Sequence, residues 1–202
     1  MKPSSKQLVI DTATSHIFLA LIIDGHLVED VWQEGASNHS VTVMPLIESM
    51  LSKHHCQLNE LTGLFIGIGP GSYTGVRIGV AIAKMIGYLN QIPLYSFSTL
   101  ALLATASDSV NILSYVDARR GNAFLATFKQ ENQTLSVVQE DCLTAFDSFV
   151  QTLNPDYDRI FDQHPQIMKL INSGLYESVE DVHLLVPNYL QITEAEKNRV
   201  QE

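Results

Sequence analysis

A chain of 202 residues that is 46% hydrophobic can bury a sizeable core, as one domain or as two small lobes. Twelve Lys and Arg against 22 Asp and Glu give a formal charge of −10, which disfavours an autonomous nucleic-acid binder because such proteins carry a basic patch. No apolar run approaches the roughly 20 residues that span a bilayer, and the start at Met1-Lys2-Pro3 lacks the apolar core of a secretion signal, so a cytosolic, membrane-free address is expected. Cys56 and Cys142 are too few and too far apart for a disulfide framework or a paired-cysteine zinc site. The acidity is uneven: residues 1–100 hold 5 basic and 7 acidic side chains, residues 101–202 hold 7 and 15.

Leu8-Val9-Ile10 reads as a short strand ending at Asp11, and the polar turn Thr12-Ala13-Thr14-Ser15 joins it to a second strand over 17–23. Asp24-Gly25 then supplies a two-residue hairpin, where positive φ is required, into a third strand over 27–32. Asn38-His39-Ser40 can cap a helix over 41–53. Its Val43, Met44, Leu46, Ile47, Met50 and Leu51 cover an arc of about 160°, wider than the roughly 100° of an ordinary amphipathic helix, and Pro45 should bend it.

The segment Gly67 to Gly79, Gly-Ile-Gly-Pro-Gly-Ser-Tyr-Thr-Gly-Val-Arg-Ile-Gly, organises the rest. Leu64, Phe65 and Ile66 lead into it as a buried strand, Gly69-Pro70-Gly71 turns the chain, and Ser72 or Thr74 can cap a helix over 74–89. Ile78, Ile82, Met85, Ile86 and Leu89 make one apolar face of this helix, which is expected to pack on the sheet. On the adjoining face Gly75, Gly79, Ala83 and Gly87 form a ridge of minimal side chains flanked by Val76 and Val80. Each interior glycine costs about 1 kcal/mol relative to alanine, so close backbone approach is the expected compensation. A helix apolar nearly all round needs cover on both sides, and a second helix layer is expected, with another subunit as one source.

As a phosphate cradle the turn fails. A Walker loop needs Lys and then Ser or Thr after its last glycine, and here Val76-Arg77 follows Gly75; the dinucleotide pattern fails on glycine spacing and on the missing acid. His54-His55-Cys56 holds metal-ligand residue types, but neighbours in sequence point to different sides of a helix end.

A strand over 94–97 and a short helix over 99–105, capped by Ser98, lead to a lobe boundary at Ser107-Asp108-Ser109. The first strand pair then returns. Shifted by 106 residues, Asp11 falls on Asp117 and Phe18-Leu19-Ala20 on Phe124-Leu125-Ala126, each time as strand, Asp, four-residue turn, strand. Further strands are expected over 135–138 and 157–161, further helices over 145–153 and 166–171, and a charged, frayed tail over 194–202. Asp11 and Asp117 at two strand ends could hold magnesium through water; otherwise both merely cap turns. No nucleophile–base pair and no clear general acid or base is visible.

With Ile10-Asp11-Thr12-Ala13-Thr14, the Asn38-His39-Ser40 helix start, Gly69 to Gly79, Ser98-Thr99-Leu100, Asp117-Ala118-Arg119-Arg120-Gly121 and Pro187-Asn188-Tyr189-Leu190, the chain resembles the TsaB family, formerly YeaZ. These bacterial proteins help make threonylcarbamoyladenosine in tRNA. The resemblance implies an α/β, actin-like fold of the sugar-kinase and heat-shock-ATPase type, with two ribonuclease-H-like lobes at 1–106 and a shortened 107–202. It implies a non-catalytic scaffold or activator that pairs with a TsaD-like transferase through first-lobe helices. A TsaE-like ATPase would join that pair, the chain would form a homodimer when alone, and tRNA would be met only through the complex. The paralogous transferase carries a metal-binding His-x-x-x-His; residues 98–106 here hold no histidine, so no metal and no catalytic residue are expected.

The expected partner-binding helix pair comprises Val43, Ile47, Met50, Gly75, Val76, Gly79, Val80, Ala83 and Gly87. No cofactor is expected beyond weak or vestigial ATP and magnesium at Asp11, Thr12, Thr14 and Asp117. The alternative is an actin-like nucleotide-dependent kinase or ATPase using those four residues. A metalloprotease is rejected, since neither His-x-x-x-His nor His-Glu-x-x-His is present. The chain departs from the family pattern at Gln191, where arginine is common, at Asp162-Gln163-His164, where a glycine turn is usual, and between Gly174 and Pro187, where a helical stretch is largely missing.

Overall fold

The hairpin at Asp24-Gly25 forms as its residue types require, with φ of 51° and 78° at the two positions. It joins β2 (His16–Ile23) to β3 (His26–Glu34), and β2 also pairs antiparallel with β1 (Lys6–Asp11). The computed structural model describes residues 4–35 and 38–190; Gln191 and the charged tail lie outside them. α1 (His39–Lys53) runs unbroken through Pro45, and its N-cap Asn38 makes no side-chain capping bond. A single 3-10 turn at Leu58–Glu60 precedes β4 (Gly63–Gly67), which lies parallel to β1. α2 (Tyr73–Asn90) is capped by Ser72, whose hydroxyl accepts from the Gly75 N–H, and β5 (Leu94–Phe97) adds in parallel to β4.

α3 (Thr99–Ala104) leads to a second sheet made of β6 (Asn111–Asp117), β7 (Asn122–Glu131), β8 (Thr134–Ala145) and β9 (Asp158–Ile160), with α4 (Phe146–Thr152) and α5 (Ile167–Asn172) around it. β8 is far longer than the 135–138 expected, because its whole length pairs with β7. β10 (Glu177–Ser178) then returns to pair antiparallel with β5. The first sheet therefore has the order β10-β5-β4-β1-β2-β3, and the second β8-β7-β6-β9.

The repeat seen in the sequence is real at the level of topology. In the second sheet β6, β7 and β8 form the same antiparallel meander as β1, β2 and β3, and β9 lies parallel beside β6 as β4 lies beside β1. The two turns match in detail: the Asp11 carboxylate accepts from the Ala13 N–H and the Asp117 carboxylate from the Arg119 N–H, both at 2.8 Å. The second turn is one residue shorter, since Asp11 sits opposite Phe18 but Asp117 opposite Ala123. The second lobe is reduced because, among the described residues, no strand takes the place beside β9 that β5 takes beside β4.

Three apolar clusters hold these layers. α1 and α2 cover one face of the first sheet. α3 and α5, with Phe18 and Phe65 from the first sheet and Ile112 and Phe128 from the second, fill the space between the sheets. A small cluster around Leu113, Ala123 and Leu125 lies under α4. The 106/107 division falls between α3 and β6, yet residues 177–190 run back over the first lobe: Val179 N–H donates to the Leu94 carbonyl and Asn188 N–H to that of Ile68. No helix among the described residues is long and apolar enough to cross a membrane.

Candidate functional site

The turn after β1 and the start of α2 meet across a short gap, and small residues permit it. Thr12 donates its hydroxyl to the Gly75 carbonyl at 2.7 Å, and the Ser72 N–H donates to the Ala13 carbonyl at 2.6 Å. A Cβ on Gly75 would run into the Thr12 carbonyl oxygen, and one on Gly79 would stand 2.5 Å from the Thr12 hydroxyl and 3.3 Å from Ile66. Close approach is indeed what the glycine ridge provides, but the neighbour is the chain's own sheet.

This corrects the partner-binding assignment. Gly75, Val76, Gly79, Val80, Ala83 and Gly87 on α2, and Val43, Ile47 and Met50 on α1, are all buried within the first lobe. Helical spacing fixes which residues share a face; it does not say whether that face meets its own sheet or another subunit. The outward face of α2 instead carries Met85, Tyr88 and Leu89, 48%, 61% and 70% exposed, so Met85 and Leu89 do not pack on the sheet as expected, because the glycine ridge takes that place.

The proposed nucleotide residues divide in the same way. Asp11 is 3% exposed, and its carboxylate is taken up by the Ala13 N–H and the Thr99 hydroxyl, both at 2.8 Å. Burial pushes its pKa up to about 6, with those two hydrogen bonds pulling the other way. Thr12 is fully buried in its bond to α2. Thr14 and Asp117, by contrast, line a cleft of about 790 Å³ between the lobes, together with Ser15, His39, Tyr73, Arg119, Phe161 and Asp162. The two repeat-related aspartates thus do not present a carboxylate pair to one cation. No group of three or more His, Cys, Asp or Glu suited to a metal occurs among the described residues. The donor set does not fit the magnesium–nucleotide site that an actin-like fold would bring to mind.

His39, expected in the helix cap, instead lays its ring over Gly35 and faces the same cleft. Its Nε2 is buried without a hydrogen-bond partner. Desolvation holds its pKa below the ordinary value, while the backbone of Thr14 and His16 opposes that shift.

Residues 183–190 form a strap over the glycine turn that sequence reasoning did not anticipate. Arg77 stacks its guanidinium 3.8 Å from the Tyr73 ring centroid and donates from Nε to the Tyr189 hydroxyl at 2.6 Å. Lys84 donates to the His183 and Leu185 carbonyls at 2.9 and 3.0 Å. Asp141 of β8 accepts from Ser98, which also caps α3, and from Asn188; burial pushes its pKa up to about 6 against those bonds. Arg77 and Lys84, the polar edge of an otherwise apolar helix, were the available signal.

Two stacked lobes, each built on a meander plus a parallel strand and facing a common cleft, define an actin-like α/β protein. A family model described as TsaD, tRNA N6-adenosine threonylcarbamoyltransferase, matches residues 31–197. The chain is 28% identical to the tRNA threonylcarbamoyladenosine biosynthesis protein TsaB of Bacillus subtilis, over 96% of this chain and 97% of that one. It is 31% identical to the TsaB of Escherichia coli, over 61% of this chain and 55% of that one. The solved structure of YeaZ from Pseudomonas aeruginosa superposes with a TM-score of 0.79 at 19% identity, covering 92% of this chain and all of that one. The chain belongs to the TsaB (YeaZ) branch of the family that this model describes.

Proposed function

We propose that the chain acts in tRNA threonylcarbamoyladenosine biosynthesis as a non-catalytic scaffold, one that binds and activates a TsaD-like transferase. The observation that carries this reading is the outward face of α2. Met85, Tyr88 and Leu89 are large, apolar and exposed, and Lys84 holds beside them the strap on which Leu184 and Val186 are 76% and 64% exposed. Exposed apolar surface of this kind marks a protein–protein contact. The transferase takes this face in the complex, and a second copy of the chain takes it when the transferase is absent. A TsaE-like ATPase joins the pair. The charge of −10 assigns tRNA contact to the partners, and the cytosol is the proposed location.

The double variant Met85→Glu, Leu89→Glu is expected to weaken co-purification with the transferase of the same organism by about tenfold or more, because hot-spot residues carry most of an interface's energy. Its unfolding free energy should stay within about 0.5 kcal/mol of the parent, as both side chains are exposed. Undiminished capture by a folded variant would falsify this surface.

A nucleotide-dependent kinase or ATPase is the second reading, and the inter-lobe cleft favours it. Against it stand the commitment of Asp11 to Thr99 and of Asp117 to the Arg119 N–H. We propose that no cofactor is required. Calorimetry with magnesium-ATP is expected to give no binding heat; micromolar binding that disappears in Asp117→Ala would favour the enzyme.

A further inference from the structure

The last turn of α2 overhangs a groove. Gln91, a left-handed C-cap with a φ of 54°, turns the chain out of the helix, and the Ile92 N–H returns to the Gly87 carbonyl at 3.0 Å. Gly87 lets β5 come close, since a Cβ there would run into Leu94. On the other side of β5, β10 is followed by Val179, whose N–H donates to the Leu94 carbonyl at 2.9 Å. Between the helix end and this returning segment lies a cavity of about 600 Å³. Tyr88 and Leu89 form one wall of it and Val179 and Val182 the other, with Ile92 and Leu94, both buried, as its floor.

The lining is apolar and its charge is of one sign. Glu180 lines the groove, Glu177 and Asp181 lie close to it in the chain, and all three are exposed. Residues 170–190 contain no lysine or arginine, and residues 86–96 contain no charged side chain. Lys84, one turn before Tyr88, is committed to the His183 and Leu185 carbonyls. Tyr88 and Leu89 belong both to this groove and to the outward face of α2, so the two surfaces are continuous.

We propose that the groove receives an apolar side chain flanked by lysine or arginine on the TsaD-like transferase, and that its acidic rim selects the transferase over a second copy of this chain. The inference rests on the scaffold reading of the protein. An enzyme that acts on tRNA carries basic surface to meet a polyanion, which a chain of charge −10 does not supply. A second copy brings the same three acids to the contact, and like charges across an interface suppress the wrong partner. The apolar lining supplies the other half of the recognition, because the anchors that carry an interface's energy sit in pockets from which water is excluded.

The affinity of the purified full chain for the purified transferase of the same organism, titrated at about 0.05 M and about 0.5 M salt, tests the groove. Glu180→Lys is expected to weaken binding about fivefold at the lower salt and to fall within about twofold of the parent at the higher, since a rim charge acts through screened attraction. Val182→Trp, which fills the groove, should weaken binding about tenfold at both. The exposed Glu180 serves if the tryptophan variant fails to fold. Met85→Glu, outside the groove on the same helix, separates the two readings. If it weakens binding while Glu180→Lys and Val182→Trp leave it unchanged, the α2 face stands and the groove is overturned; if all three leave it unchanged, the scaffold surface falls with it. Sedimentation of the chain alone tests the selectivity: Glu180→Lys should leave the homodimer no weaker than the parent's, and a homodimer weakened in parallel with the complex would overturn it.

Discussion

Gly79→Leu is expected to destabilise the first lobe by about 3 kcal/mol or more, at the upper end of overpacking effects. A side chain there has the Thr12 hydroxyl at 2.5 Å and Ile66 at 3.3 Å from its first carbon, before its branches are placed. Thr12 is in turn bonded to the Gly75 carbonyl, so α2 has to lift away from the turn that it covers. Gly75→Ala should be severe for a single methyl group, because the obstruction is the backbone carbonyl of Thr12, which no rotamer change can move aside. Urea unfolding followed by circular dichroism measures both. A Gly79→Leu protein with an unchanged midpoint would mean that the ridge does not dock α2 on its own sheet. Loss of partner capture in such a variant would report misfolding, which is why the exposed Met85 and Leu89 test the interface instead.

The second large effect belongs to Asp11. Its folded pKa of about 6 stands above the ordinary aspartate value of 3.8. Between these values the folded state therefore holds a proton that the unfolded state has lost. The protonated carboxyl's contribution is complete below about pH 4 and is lost as the pH rises through about 6, by about 3 kcal/mol at 1.36 kcal/mol per unit. Asp141, raised to about 6 by partial burial, adds in the same direction. Asp11→Asn keeps an acceptor for the Ala13 N–H and removes the buried charge. Its stability should vary less between pH 4.5 and 8 and should exceed that of the parent at pH 8. Asp11→Ala should instead lose about 1–3 kcal/mol at acid pH, where the parent carboxyl is neutral, by stranding the Ala13 N–H. Chemical denaturation across that pH range distinguishes these cases. An asparagine variant less stable than the parent at pH 8 would show that the ionised carboxylate is favourable, as a cation site would require.

Much of the architecture was legible because the signals are local. The Asp24-Gly25 hairpin, the Ser72 and Ser98 caps and the Asp11/Asp117 turn pair depend on residues a few positions apart, and each formed. What misled was the sense of a face. The i, i+4 glycines on α2 announce contact with something close, and sheet and subunit write the same pattern. The nucleotide residues posed a similar ambiguity, since similar Asp turns are buried in one lobe and exposed in the other. Contacts across long sequence separations left little trace: the two-residue β10 on β5, the strap residues on Arg77 and Lys84, and His164 against Trp32 join segments far apart in the chain. The family was legible in the motif segments from Ile10 to Leu190, although residue chemistry gave only a thin catalytic inventory.

All six residues of α3 are buried, and five of them, Leu100 to Ala104, share one apolar cluster with side chains from both sheets. Ser114 of the second sheet also donates its hydroxyl to the Leu100 carbonyl inside that cluster. A helix so placed is an axle welded to both wheels. The two sheets cannot swing apart as the jaws of a clamshell without exposing Phe18, Phe65, Ile112 and Phe128 to water. Any opening of the cleft is left to surface loops, and both lobes should lose their structure in one cooperative step.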